Sequence, residues 1–82
     1  MKLPRDLSGH ELAKILSRYG YEAVRQTGSH IRMKSTLRGF DHFVTVPAHK
    51  ALKLGTLNSI LSRVAAYLEA DRSKLVEDLF QP

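Results

Sequence analysis

The chain has 82 residues and no cysteine, with 13 lysines and arginines against 8 aspartates and glutamates, a formal charge of +5. That length fits one domain with a modest core, and the lack of cysteine excludes disulfide staples and thiolate metal sites. No apolar run approaches the roughly 18 residues a membrane helix needs, and Met1 to Asp6 lacks the apolar stretch of a signal peptide, so a soluble, cytoplasmic protein is expected.

Ser8-Gly9-His10-Glu11 reads as a capping box, serine at the N-cap and glutamate three residues on. Leu12, Ile15, Leu16 and Tyr19 follow at helical spacing, and Gly20 stands where a helix ends, which predicts a first helix of about three turns. Tyr21 to Gln26 is short, rich in β-formers and bounded by glycines, a strand. Gly28-Ser29 makes the turn. From His30 to Lys34 the residues alternate, with His30, Arg32 and Lys34 facing one way and Ile31 and Met33 the other, as on a half-buried strand. After a loop through Gly39, Asp41 to Val46 predicts a third strand, ended by Pro47.

Ala48 to Leu54 reads as a basic loop. A second helix is expected from Gly55-Thr56, with Thr56 as N-cap and Leu57, Ile60, Leu61, Val64, Ala65 and Leu68 as its buried stripe. Asp71 to Phe80 predicts a short extra helix, whose Leu75, Val76, Leu79 and Phe80 either pack back or serve a partner. The fold class is therefore α+β: helix, three-stranded antiparallel sheet, helix, with both helices on one face. That α-β-β-β-α order and layering is the one found in double-stranded-RNA-binding domains, but fold alone does not give function. Residues 1–82 read as one domain, with 71–82 a C-terminal helical extension.

The charge is uneven. Arg25, Arg32, Lys34, Arg38, Lys50 and Lys53 crowd the middle of the chain, where Asp41 is the sole acid and where His30, His42 and His49 also lie. A polyanion is the natural partner of such a segment. The chain holds no phosphate-cradling glycine loop, no dinucleotide fingerprint and no paired metal ligands at helical spacing. His42 and His49 lack the accompanying acids or thiols a closed metal site needs. No metal and no cofactor is expected.

Gly28-Ser29-His30 is the segment that carries chemistry. A histidine just past a tight turn, on the open face of a strand, is held rigidly and within reach of substrate. Histidine side chains ordinarily titrate near pH 6.5, close enough to neutrality to move protons. RNA brings its own nucleophile, the 2′-hydroxyl, so a proton acceptor flanked by cations suffices for strand cleavage without a metal. Arg25, Arg32 and Lys34 are the cations close to His30 in sequence.

The run Tyr21-Glu22-Ala23-Val24-Arg25-Gln26-Thr27-Gly28-Ser29-His30 resembles the signature of the HicA (YcfA-like) toxin family. Val44-Thr45-Val46-Pro47-Ala48-His49, then Lys53-Leu54-Gly55-Thr56-Leu57 and Ile60-Leu61, resembles its second block. With the first helix the likeness spans roughly residues 8 to 65. It implies an mRNA interferase from a bacterial or archaeal toxin–antitoxin pair, a metal-independent endoribonuclease whose catalytic histidine falls on His30. It also implies a small HicB-like antitoxin as partner, the toxin being monomeric when free and oligomeric through the antitoxin. On this reading Arg25, Gly28, Ser29, Arg32, Lys34, Lys50 and Lys53 contact the RNA. Many members carry a second histidine and an aromatic directly after the first histidine; here Ile31 and Arg32 stand there.

Two rivals stay open at this point. One is a non-catalytic double-stranded-RNA-binding module, which grips phosphates with basic residues at the start of its last helix, where Lys50 and Lys53 lie. The other is a protein-interaction domain that docks through its tail.

Overall fold

The computed structural model describes residues 3–80. The elements are α1 (Gly9–Ser17), β1 (Tyr21–Thr27), β2 (His30–Ser35), β3 (His42–Pro47), α2 (Leu54–Leu68) and α3 (Arg72–Phe80). The strands form one antiparallel sheet in the order β1-β2-β3.

The expected capping box starts α1. The Ser8 hydroxyl accepts from the Glu11 N–H at 3.0 Å, and the Glu11 carboxylate accepts from the Ser8 N–H at 2.9 Å. These bonds, the backbone one first, hold the Glu11 carboxyl below the usual carboxylate range. Leu12 and Leu16 are fully buried, while Ile15 and Tyr19 pack at the margin of the core. Gly20, at φ +90°, lies two residues beyond the C-cap Arg18 and lets the chain reverse into β1.

The strands alternate as expected. Ile31, Met33 and Ser35 of β2 are buried, and Val46 and Val44 stand opposite the first two on β3. Leu12 and Leu16 of α1 and Leu57, Ile60, Leu61, Val64 and Ala65 of α2 complete the core on that face. His30 and Arg32 are exposed on the other face, and Lys34 is half-buried there. A one-residue slip would exchange the two sets, so this hydrophobic pattern specifies the register. Pro47 is itself the last residue of β3, opposite His30.

One feature of β1 breaks the simple alternation. Tyr21, Glu22 and Ala23 pair with Ser35, Lys34 and Met33, but Arg25 then pairs with Arg32, which leaves Val24 as the extra residue of a β-bulge. Unbroken alternation would put Arg25 on the same side as the buried Tyr21. The bulge turns it to the open face, beside Arg32.

Two expectations about the helices need adjustment. Thr56 does not cap α2: the helix already begins at Leu54, Lys53 is the N-cap in extended conformation, and no side chain caps it. The helix starts directly after Lys53, so Thr56 falls inside the first turn, and the amides two and three residues after it, which a Thr56 cap would bond, lie within the helix and have carbonyl partners one turn earlier. The tail helix does form, and of its two readings packing back is the one realised. Leu75, Val76 and Leu79 are buried, Phe80 is half-buried, and Arg72 reaches Ser62 and Asn58 of α2. Gln81 and Pro82, the end of the proposed extension, lie outside the described residues.

The core has one polar end. Tyr21, Ser35 and His42 share a row across the three strands. The Tyr67 hydroxyl of α2 lies 2.6 Å from the Phe40 carbonyl and 3.3 Å from the Ser35 carbonyl, and it accepts from the Arg38 N–H at 3.0 Å. Tyr67 thereby clamps the loop between β2 and β3, whose backbone groups would otherwise be unpaired at the edge of the core.

Candidate nucleic-acid interface

His30 owes its position to a two-residue hairpin. Thr27 and His30 face each other across β1 and β2, leaving Gly28-Ser29 as the loop. Gly28 has φ +54°, which suits the tight hairpin turn that takes glycine first. A Cβ at Gly28 would meet nothing within 4 Å, so the requirement there is backbone conformation and not space. The turn is also tied from behind. The Ala48 N–H donates to the Ser29 carbonyl at 2.6 Å, and the Gly9 N–H donates to the His49 carbonyl at 2.9 Å. At Gly9 space does matter: a Cβ would lie 1.8 Å from the Pro47 carbonyl oxygen, so α1 starts directly against the end of β3. His30 thus stands exposed on a turn braced by β3 and α1.

Register sets its neighbours on the open face. In the next row Arg32 stands between Arg25 on β1 and Thr45 on β3, and in the row after that Lys34 stands between Glu22 and Phe43. Directly opposed like charges destabilise a strand pair. Among the described residues neither Arg25 nor Arg32 has an acidic partner, whereas Lys34 pairs with Asp41 at 3.7 Å and Arg38 with Glu69 at 2.5 Å. An anion lying between Arg25 and Arg32 would relieve their repulsion, so this face suits phosphate. The Arg32 guanidinium carbon lies 4.3 Å from the centroid of the Phe43 ring.

The other basic residues are placed differently. Lys50 and Lys53 are exposed, but their loop runs along residues 7–9, with the Leu52 N–H donating to the Leu7 carbonyl at 2.7 Å. They lie after the end of β3, where the loop meets the start of α1. Arg38 is taken up by Glu69.

His42 has a different role from His30. Its Nδ1 lies 2.8 Å from the Tyr21 hydroxyl, and its ring stacks on Tyr67 at 4.6 Å. Burial, and then the nearby Arg63 cation, hold the imidazole below the ordinary histidine range. Burial, and then the neighbouring Tyr67, push the Tyr21 phenol up to about 12. His49 is exposed in the loop after β3, away from His42.

Sequence reasoning missed one member of this face. Phe43 carried no signal beyond strand alternation. Arg25 was named for its nearness in sequence, while its actual placement depends on the bulge at Val24. Two surface depressions of about 370 Å³ each lie elsewhere, one beside Tyr21 and Lys34, the other beside His42 and Arg63. His30 lines neither of them.

A family model described as the HicA toxin of bacterial toxin–antitoxin systems matches residues 9–65, more than half of the chain. The chain belongs to the HicA toxin family. The matched segment runs from the first residue of α1 through the whole sheet and most of α2, so His30 and its cationic neighbours lie inside it, while α3 lies beyond. Membership of the HicA family, toxins of bacterial toxin–antitoxin systems, implies an antitoxin partner. No curated protein and no solved structure matches this HicA-family chain.

Proposed function

We propose that this toxin is a metal-independent RNA endonuclease, an mRNA interferase, in which His30 moves the proton. The observation that carries the reading is the placement of His30, exposed on a braced turn and one row from the facing pair Arg25 and Arg32. Arg25 holds the phosphate, and the positive charge of Arg32 beside it helps to stabilise the charge that builds on its oxygens. The 2′-hydroxyl loses its proton and its oxygen bonds to phosphorus. The bond to the 5′-oxygen breaks, and that oxygen leaves with a proton. The products are a 2′,3′-cyclic phosphate and a 5′-hydroxyl. Gly28 gives the turn its shape, and the Ser29 carbonyl anchors it to Ala48, just after β3. Lys34, Lys50 and Lys53 extend the grip on the RNA backbone.

The partner is a HicB-like antitoxin that covers His30 and the surrounding cations with acidic groups. Charge complementarity of this kind speeds association and orients the partner, so complex formation slows as salt rises.

Growth of cells expressing the protein tests the reading. The unsubstituted protein arrests growth, and His30→Ala, expressed to the same level, does not. Equal arrest by both would contradict the role of His30. A double-stranded-RNA-binding module would retain RNA after this substitution and would have shown no turnover before it.

A further inference from the structure

The contact between Arg32 and Phe43 does more than hold phosphate. A side chain that only neutralises a phosphate works as a point charge, a task that lysine also performs. Arg32 is exposed, yet its guanidinium is held over an aromatic ring at 4.3 Å. The strand position that carries the ring is tied to α2. Phe43 is half-buried on an edge strand, opposite Lys34, and its carbonyl accepts from the Arg63 guanidinium of α2 at 3.4 Å. Cation–π attraction holds the guanidinium on the ring, which leaves its outer side to solvent. An unpaired base stacks readily on an arginine plane. Arg25, directly opposite, remains the residue for phosphate.

We propose that Arg32, seated on Phe43, is a stacking platform for an unpaired base next to the cleaved phosphate, which makes the substrate single-stranded RNA at the cut. The proposal rests on the nuclease reading and deepens it. Successive residues on one face of a strand lie about 6.7 Å apart, so a base on Arg32 flanks the phosphate held near His30. In a fully paired duplex each base is already stacked within the helix and cannot occupy the platform.

The test measures binding by His30→Ala protein, which holds RNA without cutting it. Three probes are compared: a short single-stranded RNA, the same strand in a duplex, and a ribose-phosphate strand of equal length without bases. Arg32→Lys and Phe43→Leu are each added to the His30→Ala background, with circular dichroism to check folding. Each lowers affinity for the single strand about tenfold, as the loss of one stacked base does. Neither changes affinity for the baseless strand, whose binding depends on charge alone. Should Phe43→Leu fail to fold, Arg32→Lys carries the test, since it alters only an exposed side chain. Unchanged single-strand binding by Arg32→Lys, an equal loss on the baseless strand, or tighter binding of the duplex would overturn the platform. So would variants that bind RNA normally and lose only the antitoxin. Cleavage by the unsubstituted protein is scored alongside. Its absence removes the nuclease reading, while base-dependent binding decides the platform separately.

Discussion

The two faces of the sheet carry similar chemistry and treat it in opposite ways. On the helix side, the Tyr21 hydroxyl meets His42 Nδ1, and the Tyr67 hydroxyl meets the backbone of Ser35, Arg38 and Phe40. Among the described residues no buried side-chain nitrogen or oxygen lacks a partner. On the open side, His30 stands exposed and Arg25 faces Arg32 with no acid beside either. His42 and His30 lie on the same sheet, yet one is hydrogen-bonded and stacked within a packed cluster and the other is left to solvent. Residue type therefore does not locate a site. A histidine with its bonds satisfied is structure, while a rigidly placed one with none is free to meet a substrate.

Substitution of each histidine's surroundings breaks the comparison in turn. His30→Ala has the largest effect, a loss of about 10²- to 10⁴-fold in RNA cleavage by the purified protein. Its unfolding free energy moves by no more than about 0.5 kcal/mol, as for most exposed positions, which thermal and denaturant melts measure. Tyr67→Phe does the reverse. It strips the hydroxyl from the Arg38, Phe40 and Ser35 backbone groups and costs about 1–3 kcal/mol of stability, while cleavage per folded molecule is unchanged. A Tyr67→Phe protein that is fully stable would show that the inner cluster does not hold the β2–β3 loop.

Arg25→Ala sharpens the account of the open face. RNA affinity falls to a similar extent across sequences, and the slope of log affinity against log salt falls by about 0.7 to 1, one phosphate contact. A normal salt slope would remove Arg25 from the phosphate site.

The smallest effect is one of pH. The folded state holds His42 below the ordinary histidine value near 6.5. Above that value neither state is charged and the contribution of His42 is fully present. As pH falls below it the unfolded chain takes up the proton first, so stability drops until the folded pKa is reached and then levels off. His42→Gln, which cannot titrate, flattens that part of the stability–pH curve. An unaltered curve would mean that another group sets the acid limb.

Local patterns in the sequence were enough for the frame. Ser8 and Glu11 mark the start of α1 because a capping box lies within one turn of chain. His30 to Lys34 show which side faces out because alternation is a property of a single strand. Features that depend on pairing were hidden. The bulge at Val24 has no residue signature, since it follows from how β1 meets β2, and without it Arg25 would be placed on the wrong face. The bond between Tyr21 and His42, 21 residues apart, and the seat of Arg32 on Phe43 arise only after three strands align. The start of α2 was misplaced for a different reason: Thr56 is a good capping residue by type, but Lys53 is the N-cap and the helix starts at Leu54, three residues before a Thr56 cap would start it.

The central claim is that His30 acts on the 2′-hydroxyl of the RNA itself, with cations in place of a metal. The direct measurement is cleavage, in excess chelator, of two matched strands, one all-ribose and one carrying a single 2′-deoxy nucleotide at the cut site. The account predicts that the all-ribose strand is cut to a 5′ fragment ending in a 2′,3′-cyclic phosphate or its hydrolysis product, and that the deoxy strand resists at that position. Efficient cutting of the deoxy strand, or loss of all activity in chelator, would contradict it.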